Sequence, residues 1–172
     1  MFKQLAITAL LSIVAMMAAA CTPAAQPEAA PSNSIPFATL AQGTPLGDQP
    51  TQPLYTVATQ PDRWQELTDR MPTEAGQAGA EAVQSNQILV LAFAGVRSSS
   101  GYQISVERIV REGDRLVITV SETEPDPDQI VEPATTLPYH LVALSPNDAN
   151  IATVSTIIFQ NTEEAILDQQ TR

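Results

Sequence analysis

The run Ile88-Leu89-Val90-Leu91-Ala92-Phe93-Ala94 decides the fold. It is too short for a typical buried helix and carries no polar alternation, so it reads as a strand covered on both faces. Downstream, Tyr102, Ile104 and Val106 alternate with Gln103, Ser105 and Glu107, the pattern of a half-buried strand. Glu112-Gly113-Asp114 makes a tight turn, and Leu116, Ile118 and Val120 alternate back, which completes a β-hairpin. Thr135 to Leu144 is a further strand, with Pro138 pointing to an edge position or a bulge, and Ile151 to Phe159 is the last. Upstream, Leu54 to Ala58 forms an entry strand. A helix begins at Pro61, carries Trp64, Leu67, Thr68 and Met71 on one face, pairs Glu66 with Arg70 and stops at Pro72. At that spacing Trp64 is a core anchor. Thr73 to Gln87, polar and interrupted by Gly76 and Gly79, reads as a loop or weak helical turn. The expected fold class is therefore α+β, mostly β: an antiparallel sheet or small β-sandwich of five to six strands with one helix preceding the central strands.

Around that domain (53–160) the composition changes. The N-terminal stretch has a cation at Lys3, an apolar run from Leu5 to Met17, then Ala18-Ala19-Ala20 directly before Cys21, the only cysteine. This is the layout of an export signal over 1–20, and Cys at the cleavage point resembles a bacterial lipobox, with Ala18 where Leu is usual. Cys21 is the expected lipidation site; the competing reading is an ordinary secretory cleavage at Ala18-x-Ala20 that leaves Cys21 a free thiol. The multiple acyl chains of a lipoprotein anchor stably where a single chain does not. Residues 21–52, rich in Pro, Ala and Gln, read as a disordered tether, since they bury too little apolar surface to offset their ordering entropy. Residues 161–172 read as a short C-terminal helix or tail. The expected location is the bacterial cell envelope, outside the cytoplasm and held to a membrane by lipid.

The chain of 172 residues has 19 acidic and 8 basic side chains, a net charge of −11. Nucleic acid is excluded as a partner, because its binding needs clustered cations. With one Cys no disulfide framework supports the fold, so burial must.

At Ala94-Gly95-Val96-Arg97-Ser98-Ser99-Ser100-Gly101-Tyr102 the sequence resembles the PrcB C-terminal domain family, named for a non-catalytic subunit of a secreted protease complex. The resemblance runs through Phe93-Ala94-Gly95, Gly101-Tyr102, the alternating hairpin, Pro125 to Pro127 and Thr136-Leu137-Pro138-Tyr139. It departs from the family at Ser100, where Gly is common. Added to the expected lipid anchor, it implies a membrane-anchored, extracytoplasmic, non-catalytic protein-binding module, an accessory subunit of a secreted or surface protease complex. The loop also shares Gly-Tyr with chagasin-like protease inhibitors, which implies as an alternative that the Ser98–Tyr102 loop enters a protease active site. An envelope solute or polymer binder is the third reading.

The candidate partner-binding residues are thus Ser98, Ser99, Ser100, Gly101 and Tyr102. The serines have little to bury and can offer hydroxyls outward, Gly101 suits a positive φ, and Tyr102 is in phase with Ile104 and Val106 as a core residue. No catalytic group is expected: His140 is the only histidine, placed at a strand edge or rim, and Cys21 is consumed by the anchor. No metal or cofactor is expected either. The acids Glu122, Glu124, Asp126, Asp128 and Glu132 are interrupted by prolines and lack calcium-loop spacing.

Overall fold

A computed structural model describes residues 33–48 and 50–172. The expected signal segment 1–20 and Cys21 lie outside the described residues. The elements run β1 (Ala38–Gly43), β2 (Leu54–Ala58), α1 (Pro61–Thr68), α2 (Thr73–Gln84), β3 (Ile88–Phe93), β4 (Gln103–Glu112), β5 (Arg115–Thr123), β6 (Tyr139–Leu144), α3 (Pro146–Ala149), a 3-10 turn (Ile151–Thr153), β7 (Thr156–Gln160) and β8 (Ile166–Thr171).

Two four-stranded sheets result, ordered β1-β6-β3-β2 and β4-β5-β7-β8. Every pairing is antiparallel except β5 with β7. The helices α1 and α2 cover one face of the first sheet and the second sheet covers its other face, giving three layers and two apolar interfaces. The run at Ile88 sits where its composition requires. Leu89, Leu91 and Phe93 face the helices, while Ile88, Val90 and Ala92 face the second sheet, and all six are buried. In the second sheet Ile104, Val106, Leu116, Ile118, Val120, Ile157 and Phe159 turn inward.

Trp64 is 2 % exposed and anchors the helical layer, as its spacing predicts. Its indole lies so close to α2 that a Cβ on Gly79 would stand 2.0 Å from the ring. That contact explains a difference from the expectation of a loop over 73–87. Ala75, Gly79 and Ala82 are buried on one face of α2, and Gly79 is there to admit the ring rather than to break the helix. Glu66 pairs with Arg63 at 2.7 Å, not with Arg70, which lies beyond the end of α1.

Further expectations are corrected. The mostly β class holds, but the described residues form eight strands and three helices where five to six strands and one helix were expected. The expected tether reaches into the fold: Ser34 bridges Val110, Ile35 is buried, and β1 pairs along β6. Pro-rich composition hides a strand whose reason to form is a partner elsewhere in the chain. The expected C-terminal helix or tail is instead β8, folded back on β7 through a turn in which Asn161 Oδ1 accepts the N–H groups of Glu163 (3.0 Å) and Ala165 (2.8 Å). Pro138 marks no edge. It is buried just before β6, which lies between β1 and β3, and its carbonyl accepts the N–H of Ala94 at 3.0 Å.

His140 likewise is neither at a rim nor at an edge. It is buried on β6 and faces across to β4, where Val106 N–H donates to its Nδ1 at 2.8 Å. A backbone N–H can only donate, so Nδ1 is the acceptor nitrogen and Nε2 carries the proton toward Thr39 Oγ1 at 2.9 Å. One imidazole thereby joins β1, β6 and β4. It does so at the bulge between Val106 and Arg108, where the β4 ladder is interrupted.

Candidate protein-binding surface

The loop between β3 and β4 and the loop between β5 and β6 both cross between the two sheets, and they are bonded to one another. Gly95 starts the first at φ +79°, and a Cβ there would lie 2.8 Å from the backbone carbon of Gln52. Both facts demand glycine. Arg97 and Thr136 exchange two backbone hydrogen bonds of 2.9 Å, and Thr136 Oγ1 donates to the Ser99 carbonyl at 2.7 Å. Ser100 N–H donates to the Glu132 carbonyl at 3.2 Å, and Glu132 N–H returns to Ser100 Oγ at 3.3 Å. A third segment joins on the far side, where Leu137 N–H reaches the Pro45 carbonyl at 2.9 Å and Gly47 N–H the Thr135 carbonyl at 3.2 Å. The two loops therefore form one strapped unit.

Arg97 carries its electrostatics. The guanidinium donates to Glu122 Oε1 at 2.5 Å and sits 5.8 Å over the centre of the Tyr102 ring. The hydrogen bond to Glu122 pushes the Arg97 pKa further up, so its charge is fixed. Burial raises the neighbouring Tyr55 phenol, and the Glu122 carboxylate adds to the effect. Nothing local in the sequence marks Arg97, because its partners are Glu122 on β5 and Thr136 after the acidic loop.

The predicted residues separate into different roles. Ser98 is exposed, and its side chain has no hydrogen bond to described residues. Ser99 is buried, with its carbonyl engaged by Thr136, so it does not offer a hydroxyl outward. Ser100 is exposed but committed to Glu132. Gly101 does not adopt a positive φ; its reason is packing, since a Cβ would stand 2.5 Å from Pro125 Cβ and 2.7 Å from Val131 Cγ1. Tyr102 lies before β4, half-buried beneath Arg97 rather than in the core with Ile104 and Val106. Ser98 and Ser100 thus stay at the surface on a rigid base.

Beyond that base the acidic loop projects. A turn closed by Gln129 N–H on the Asp126 carbonyl at 2.9 Å leads into Ile130, which is 100 % exposed. The cleft beside Ser100, lined by Gln42, Thr44, Gln103 and Ile104, holds about 260 Å³, below the range of ordinary small-molecule pockets. Among the described residues no group of three or more His, Cys, Asp or Glu converges as metal ligands would. No described helix is long and apolar enough to cross a membrane.

The family description PrcB C-terminal matches residues 88–145, from the first residue of β3 to the residue after β6. That span contains both strapped loops and the hairpin between them. No curated protein and no solved structure matches the chain.

Proposed function

We propose that this chain is a lipid-anchored, extracytoplasmic, non-catalytic protein-binding module that serves as an accessory subunit of a secreted or surface protease complex. The observation that carries the reading is the family match, whose span coincides with the strapped loops. Cys21 after Ala18-Ala19-Ala20 supports the anchor, and the net charge of −11 keeps a tethered domain off an anionic bilayer. The absence of catalysis is supported by the engagement of both ring nitrogens of His140 inside the core. Ser98, Ser100 and the half-buried Tyr102 are the partner-facing groups on this reading, and strapping lowers the entropy lost when they are immobilised.

The test uses the full chain as bait on an envelope fraction, followed by activity assay of the captured protease. An accessory subunit leaves the protease active. Silencing in proportion to occupancy would instead favour an inhibitor acting through the Ser98–Tyr102 loop. The double variant Ser98→Ala, Ser100→Ala is expected to fold and to capture less; unchanged capture removes these hydroxyls from the interface. Mass spectrometry of the native N-terminus decides the anchor, and an unmodified Cys21 would refute it.

A further inference from the structure

Strands β1, β2, β4 and β8 form the outer edges of the two sheets. Other parts of the chain lie against the first three. β1 packs against α2, and β4 is paired by the segment before β1, through Ile35 N–H to the Ile109 carbonyl at 2.8 Å and Arg111 N–H to the Asn33 carbonyl at 3.0 Å. On β2 the Tyr55 carbonyl accepts Gln170 Nε2 at 2.8 Å. β8 differs. Arg172 N–H bonds the Ser155 carbonyl at 2.9 Å, which fixes the parity of the β7–β8 ladder. Gln169 and Thr171 then turn their N–H and C=O groups away from β7, and no described group bonds them.

The side chains of β8 do not protect this edge in the usual way. It contains no Pro and no Lys, and Ile166 (61 %) and Leu167 (41 %) are exposed. Its one charge, Asp168, pairs opposite buried Phe159 and so belongs to the inner face, where its carboxylate accepts Gln170 Nε2 at 2.7 Å. Beside Leu167 a cleft of about 290 Å³ has Tyr55 and Val120 as apolar floor and Glu122 and Glu163 as acidic rim. Such a floor suits the aliphatic stem of Arg or Lys, and the rim suits its head.

We propose that β8 is a strand-addition site that takes an extended, basic segment of a partner protein as a fifth strand of the second sheet. Main-chain bonds to Gln169 and Thr171 supply affinity, while Asp168, Glu122 and Glu163 select cationic over acidic side chains. A second copy of this chain is a poor occupant, because it would bring its own Asp168 and a net charge of −11 to the same acidic edge. The site is separate from the strapped loops and does not depend on the protease-complex reading.

The test measures a labelled peptide of alternating Val and Thr, with Arg at both ends and at one inner position, against the full chain. Binding is expected to saturate and to slow amide exchange at Gln169 and Thr171 by about tenfold or more. Gln169→Pro removes an outward donor without touching the β7 ladder and is expected to weaken binding about tenfold or more. Leu167→Lys, which places a cation at the cleft, is the second blocking variant should the proline perturb β8. A peptide with Glu in place of Arg is expected not to bind, and Ser98→Ala, Ser100→Ala is expected to bind like the parent. Failure of the Arg peptide to bind, binding without protection of Gln169 and Thr171, or binding indifferent to both edge variants would overturn the proposal. So would sedimentation showing that the chain alone dimerises and that Gln169→Pro abolishes the dimer.

Discussion

The two sheets share one interface and have the same number of strands, yet their sequences look unlike. The first sheet is covered on both faces, so β3 and β6 are buried at every position. The second packs one face on the first, and its other face is more open at the flanking strands than along β5, which is buried from Leu116 to Val120. β4 alternates, and the outer face of this sheet carries Arg108 and Val110 on β4, Thr119 on β5, and Ile158 and Gln160 on β7. Hydrophobic pattern thus reports how many layers lie on a strand rather than how important the strand is. On the proposed readings the same contrast separates stability from recognition. The twice-covered sheet holds the core, and the strapped loops and free edge lie where covering stops.

The sharpest way to break the contrast is in the helical layer. Trp64→Ala should cost ~3–5 kcal/mol in denaturant unfolding, the usual loss for a core aromatic. A value near zero would mean that the helices merely decorate the first sheet. At the strap, Gly101→Ala inserts a Cβ against Pro125 and Val131 and should cost ~1–3 kcal/mol through overpacking. A neutral result would show the two loops moving apart freely.

His140 links the sheets, and its effect is a pH slope. Burial lowers its pKa below the usual imidazole value, partly offset by Glu107. Protonation would also set a second donor against Val106 N–H. Below a pH of about 6.5 the unfolded chain takes up the proton before the folded one. This contribution is therefore fully present above that value and is lost as pH falls toward the folded pKa. Midpoints of urea unfolding between about pH 7.5 and 5.5 should drop for the parent and drop less for His140→Gln. Equal slopes would mean that the ring does not clamp β1 to β4.

On the outer face of the second sheet the losses should be small. Ile158→Thr is expected to cost about 1 kcal/mol or less by thermal unfolding, well under Trp64→Ala. A loss of core size would reveal a further covering layer. The smallest effect belongs to Glu122→Gln. Its pair with Arg97 is partly solvent-exposed and should contribute ~0.2–1 kcal/mol, reduced further by salt.

The sequence alone determined the strands whose periodicity is set by their own residues: the doubly covered run at Ile88, the alternating hairpin from Gln103 to Ser121, and α1 with Trp64 as anchor. It also located the loop from Ser98 to Tyr102, because a Gly-bounded polar stretch between two strands is a local signal. Tertiary structure decided what depends on distant partners. β1 is a strand only because β6 offers it a ladder, and Gly79 sits in a helix only because Trp64 needs the space. Ser99 turns inward because Thr136 claims its carbonyl, and His140 is buried because a bulge in β4 leaves an N–H for it to accept. Periodicity is written within ten or so neighbouring residues. Pairing across 30 to 100 residues follows from which edges and donors the rest of the chain leaves unsatisfied, and no local window contains that information.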